Sequence, residues 1–193
     1  MSTQIGVGFV FVLILMLALS LTGLRYVSET NQRLKHIAEN NNIKIELATK
    51  MHTALLERAL SIRALPIYTD PFDRDAEIQR FSAQGNLYLQ ARHRIEAMLL
   101  SPAESAILAQ IRELTRRSQP EVQAVVEMSI LNASQAQLFE MILHTAIPKQ
   151  KLIIEQVGDL LDLQRKQTAT AVREAEVSHS NMRDLMIGLG LAA

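Results

Sequence analysis

Residues 48–66 read ATKMHTALLERALSIRALP, and along them the apolar positions Ala48, Met51, Leu55, Ile62 and Leu65 follow at steps of three, four, seven and three. Such spacing keeps returning to one face of an α-helix and predicts an amphipathic rod packed in a bundle. Pro66 predicts where that rod stops, because its ring removes a donor and disfavours helical geometry at the residue before it. Arg58 lies on the seam between Leu55 and Ile62.

Toward the N-terminus the stripe continues through Leu34 and Ile37, with Asn41, Lys44 and Ile45 in the intervening turns. This half of the rod is only loosely apolar. Before it, the 20 residues Ile5–Leu24 carry no charge, and the first charged side chain is Arg25. A stretch of about that length crosses a bilayer as one helix. A cleaved signal peptide would need a basic start, a shorter core and a small-residue cleavage site. MSTQ has no Lys or Arg, the core is too long, and Ala18-Leu19-Ser20 matches poorly, so a retained anchor is expected. Arg25, Arg33 and Lys35 follow the span, against the simple positive-inside pattern. Long domains translocate largely regardless of charge, which leaves the N-terminus inside and the domain outside. At the other end Leu185–Ala193 (LMIGLGLAA) turns apolar again, too short to span unless the chain continues. The expected organisation is an anchor over 1–24, one extracytoplasmic domain over 25–184, and the start of a second, truncated transmembrane helix over 185–193, the front of a longer receptor.

Toward the C-terminus, capping chemistry announces each further rod. Asp70-Pro71-Phe72-Asp73 places a cap, a first-turn proline and an acid at the positive helix end. An inner stripe follows at Ile78, Phe81, Gly85, Tyr88, Ile95 and Met98. Ser101-Pro102-Ala103-Glu104 is a capping box with proline in the favoured place. The third stripe is Ile107, Ile111, Leu114, Val122, Val125 and Met128, and Pro120 within it predicts a kink or a division at Ser118. Asn132-Ala133-Ser134 reads as the upper connection and Gln135–His144 as a short helix. Pro148 then opens the last long helix or kinks one already begun. Ile153, Val157, Leu160, Leu161, Gln164, Thr168, Ala171 and Ala175 carry the final stripe. The expected fold class is all-α: an N-terminal transmembrane helix, an up-down-up-down four-helix bundle, and a second transmembrane helix entered directly from the last rod.

Composition excludes several functions. Lys plus Arg and Asp plus Glu both number 20, and aromatic residues are 4% of the chain, so no nucleic-acid partner is expected. There is no cysteine for a disulfide or thiolate site. His36, His52, His93, His144 and His179 stand singly, without metal-ligand spacing. Phosphate loops and nucleophile elbows are absent, and no catalytic residue, metal or cofactor is expected. Asp70, Asp73, Asp75 and Glu77 allow a calcium reading, but they lack the glycine and distal glutamate of a calcium loop, and helix capping accounts for them. The candidate ligand contacts are Arg58, Arg63 and Arg92, because an arginine facing an interhelical groove can fork onto a carboxylate.

Taken in order, the span, Met51-His52-Thr53-Ala54-Leu55-Leu56-Glu57-Arg58, Asp70-Pro71-Phe72-Asp73-Arg74-Asp75, Leu100-Ser101-Pro102-Ala103-Glu104 and Leu160-Leu161-Asp162-Leu163-Gln164 resemble the four-helix-bundle sensory module of methyl-accepting chemotaxis receptors and related transmembrane diguanylate cyclases. The resemblance covers nearly the whole chain. It implies a sensor in the bacterial inner membrane, with a cytoplasmic N-terminus and a periplasmic domain. Its implied partners are a second copy, the lipid bilayer, and a small ligand or periplasmic binding protein. The output would be a methylation coiled coil or a cyclase beyond residue 193, and a ligand-free anchored scaffold is the reading from another class.

Overall fold

Caps and Pro66 divide the chain where the sequence predicts, and the structure decides between the alternatives left open at Pro120 and Pro148. The computed structural model describes residue 23, residues 40–131 and residues 133–192, with backbone alone at 178, 179, 182, 183 and 185–192. Helix α1 covers 40–64 and yields to a turn at 65–67 around Pro66. Helix α2 is Pro71–Glu96, capped by Asp70, whose carboxylate accepts from the Phe72 N–H at 2.8 Å. Helix α3 is Pro102–Ile130 and opens on the Ser101–Glu104 capping box. Helix α4, Gln135–Met141, opens on a second capping box between Ser134 and Gln137. It passes through a π-helical turn, Ile142–Ala146, into α5, Ile147–Ala192. No strand occurs among the described residues.

Of the two outcomes expected at Pro120, a kink or a division at Ser118, the division does not occur, and α3 runs through the ring as one helix. Side chains supply hydrogen bonds in the turns before the ring: Thr115 Oγ1 donates to the Ile111 carbonyl at 2.8 Å and Ser118 Oγ to the Thr115 carbonyl at 3.2 Å. Packing then holds both flanks, through buried Ile111 on one side and Val122, Val125 and Val126 on the other. Pro148 lies inside a rod that began at Gln135. Having no N–H, it cannot bond the His144 carbonyl one turn back. The π turn widens the backbone just before it, and the Ile147 N–H donates to the Ile142 carbonyl five residues earlier. The expected short helix over 135–144 is thus the start of the fourth rod.

The leading span, Leu34 and Ile37 lie outside the described residues, Gly23 apart. Among the described residues no helix is long and apolar enough to cross a membrane. The chain forms two compact units, Ile43–Arg165 and a second made of Met1–Asn42 with Lys166–Ala193.

In the Ile43–Arg165 unit the four rods run antiparallel, because bonded partners climb one helix as they descend its neighbour. Tyr88 meets Thr115 and Glu96 meets Arg112 across α2 and α3. Likewise Glu104 meets Gln164 and Glu121 meets Lys149 across α3 and α5. Two apolar clusters form the core. The first, at the end where the chain enters and leaves the unit, gathers Met51 and Leu55 of α1, Tyr88 and Ile95 of α2, Ile111 of α3 and Val157 and Leu160 of α5. The second gathers Ile62, Leu65, Phe81, Val122, Val125, Leu138 and Ile142 toward the far end. Each such side chain contributes about 1.5–3 kcal/mol on burial. On every rod polar or side-chain-free positions separate the clusters: Arg58 and Ser61 on α1, Gly85 on α2, Thr115 and Ser118 on α3, Gln150 on α5. The core therefore has a polar waist.

Candidate functional site

Arg58 is the cation of that waist. Its guanidinium lies 4.1 Å from the centroid of the Phe81 ring on α2. Four residues along, Gly85 presents no side chain, and a Cβ there would stand 3.4 Å from Arg58 Cζ. The Nε is buried without a hydrogen-bond partner, and the guanidinium has no carboxylate partner among the described residues. Burial pushes its pKa below the ordinary arginine value, partly opposed by the nearby Tyr88 phenol. A half-buried cation without a counter-ion is costly, and an incoming anion relieves that cost.

Tyr88 continues the same face of α2. The Thr115 hydroxyl spends its proton on the Ile111 carbonyl, so the Tyr88 O–H donates to Thr115 Oγ1 across 3.0 Å. Arg92, one turn further, sits 5.6 Å from the Tyr88 ring centroid. It is already compensated, with Nε 3.7 Å from the Glu96 carboxylate that also accepts from Arg112 at 3.0 Å. Arg63 is exposed and makes no ion pair among the described residues. The structure thus brings Arg58 and Arg92 to either side of one tyrosine, and leaves Arg63 apart.

Gly85→Ala is expected to stabilise the protein by about 0.5–1 kcal/mol, since alanine favours helix and its methyl makes only ordinary contact with Arg58. Gly85→Leu should instead displace the guanidinium and lower stability. Urea denaturation of the two variants checks both outcomes.

The acids near Asp70 do structural work. Asp70 caps α2, Asp73 occupies its first turn, and Glu77 accepts from Arg80 at 3.2 Å. Among the described residues no three His, Cys, Asp or Glu groups are placed to hold a metal ion.

One network was not legible as a unit in the sequence. Lys44 of α1 donates to both carboxylate oxygens of Glu104, at 2.8 and 3.0 Å, and Gln164 of α5 donates to the same carboxylate. The Ser101 N–H is the third donor and makes the fourth hydrogen bond to this carboxylate. All three side chains are buried. Capping, stripe and intervening turn each announced one member, but nothing in their spacing joined positions 60 apart.

A family model described as "Four helix bundle sensory module for signal transduction" matches residues 1–178. No curated protein matches the chain. Among solved structures, a "Periplasmic sensor domain of sensor histidine kinase" has a similar fold, with a TM-score of 0.63 and 16% identity, covering 74% of this chain and 94% of that one.

Proposed function

We propose, from the premise that this chain belongs to the family of four-helix bundle sensory modules for signal transduction, that it is the periplasmic sensor of an inner-membrane receptor of the methyl-accepting chemotaxis type. In this reading residues 1–24 and 185–193 belong to two spans, the N-terminus is cytoplasmic, and 25–184 is the sensing domain. The similar fold of a periplasmic sensor domain favours that side of the membrane. The ligand is a small carboxylate, delivered free or by a periplasmic binding protein, and its contact is Arg58. The observation that carries this is the half-buried guanidinium with no acid partner among the described residues.

Binding at the waist draws on α1 and α2 together and shifts α5 against α1 by about 1–2 Å, a size of helix movement that switches interfaces. Leu56 and Leu60, one turn apart on α1 and 43% and 57% exposed, suit contact with a second copy. The homodimer reading fails if the full chain in nanodiscs sediments only as monomer at high concentration.

The ligand reading is tested by a thermal-shift screen of the full chain in nanodiscs against amino acids and organic acids. A specific ligand at about a hundred times its Kd stabilises by about 2.7 kcal/mol, which appears as a raised Tm. Arg58→Met should abolish that shift. An acid that stabilises the wild type and Arg58→Met equally would remove Arg58 from the site, and a screen without any hit favours an anchored scaffold.

A further inference from the structure

Away from the waist, α1 and α2 leave an open groove between them with about 400 Å³ of free volume. The size falls in the range of small-molecule sites, about 300–1,000 Å³. It exists because Ala54 and Ala91, both buried, are small where the rods approach. With Leu47 they make an apolar floor, the exposed Leu87 adds an apolar edge, and Thr53, Gln84 and Gln90 stand among the polar residues of the wall.

Two cations, Lys50 and Arg94, line this groove. Lys50 is paired in solvent, its ammonium 2.5 Å from the Glu46 carboxylate. That hydrogen bond leads the causes holding Glu46 below the ordinary glutamate value, and the field of Arg94 adds to it. Arg94 itself is exposed and forms no ion pair among the described residues. With two cations and the one nearby acid, Glu46, the groove carries a net positive charge beside an apolar floor. A planar guanidinium matches a carboxylate through two parallel hydrogen bonds.

We infer that the α1–α2 groove binds a small amphipathic monocarboxylate, its hydrocarbon body on Leu47, Ala54, Leu87 and Ala91 and its carboxylate on Arg94. The charge balance favours a monoanion: a cationic ligand meets Arg94 unfavourably, and a neutral one gains no charge-assisted hydrogen bond from the guanidinium. This site shares no residue with the Arg58 waist, so the two readings stand or fall separately.

Isothermal titration calorimetry of the full chain in lipid nanodiscs, blanked against empty nanodiscs, tests it with 4-phenylbutyrate. Single-site binding is expected for the wild type. Arg94→Gln should weaken it about tenfold or more, as loss of a charged hydrogen-bond pair does, and 4-phenylbutyramide should bind the wild type correspondingly more weakly. Arg94 is exposed, so Arg94→Gln keeps its helical circular dichroism, and Arg58→Met should bind within about twofold of wild type on the same single-contact argument. Absence of binding to the wild type overturns the inference, as does equal affinity for acid and amide. Loss of binding in Arg58→Met with retention in Arg94→Gln moves the ligand to the waist. If Arg94→Gln alters only sedimentation and not phenylbutyrate binding, a second copy covers the groove and the ligand assignment is wrong.

Discussion

Glu104→Ala is expected to lower the unfolding free energy by about 3–5 kcal/mol, the cost of breaking a buried ion pair by removing one partner. Lys44 and Glu104 retain only 5% and 1% of their side-chain exposure, so solvent cannot replace the lost contact. The substitution strands the Lys44 ammonium and removes an acceptor from Gln164 and from the Ser101 N–H at the start of α3. An exposed control separates this from generic charge loss: Glu46→Ala breaks the solvent-facing Lys50 pair and should leave the urea midpoint close to that of the wild type. Equal urea midpoints for the two variants would show that the network contributes nothing beyond surface electrostatics. Acid tests the same carboxylate. Burial alone would raise its pKa, but hydrogen bonds from Lys44, the Ser101 backbone and Gln164 outweigh burial and hold it below the ordinary value of 4.5. A depressed folded-state pKa means the stabilisation is complete above about 4.5, and it is lost as pH falls through the folded-state value. The urea midpoint of the wild type should therefore drop below pH 4.5 more steeply than that of Glu104→Gln.

The rods were legible because their signals are local. Asp70-Pro71 and Ser101-Pro102-Ala103-Glu104 act within one turn, and the stripes through Met51, Tyr88, Ile111 and Val157 repeat at the period of the backbone itself. Continuity through proline was not legible, since it depends on what lies elsewhere. Pro120 stays within α3 because Val122 and Val125 are clamped in a core built from other helices, and Pro148 stays within the last rod because five residues adopt a π turn. At the candidate site, Arg58 could be picked from its place on the seam. Its isolation from acids could not, because that depends on which residues α2 and α3 bring near. Gly85 shows the same limit: in the stripe it looks like a weak point, whereas in the fold it is where the Arg58 guanidinium passes close to α2. Lys44 looked like an interruption of an apolar face and proved to be half of its most buried charge pair.

Leu160→Ala should cost about 2–5 kcal/mol, since Leu160 is wholly buried and a shortened side chain leaves a cavity that the rods only partly close. Leu152→Ala on the same helix, 49% exposed, is the control and should stay within about 0.5 kcal/mol of wild type. The distribution of the damage matters more than its size. Leu160 belongs to the first cluster, and the waist at Arg58, Gly85, Thr115 and Gln150 interrupts the apolar contact between that cluster and the second. Regions with few shared apolar contacts can open separately, so native-state hydrogen exchange should quicken around Met51, Ile111 and Val157 while protection around Val125 and Ile142 persists. Uniform acceleration in both regions would mean that the waist joins them into one cooperative block. The distinction bears directly on the proposed sensing: a carboxylate on Arg58 would bind where the two clusters meet, and it would bias α5 against α1 only if one cluster could move without dissolving the other.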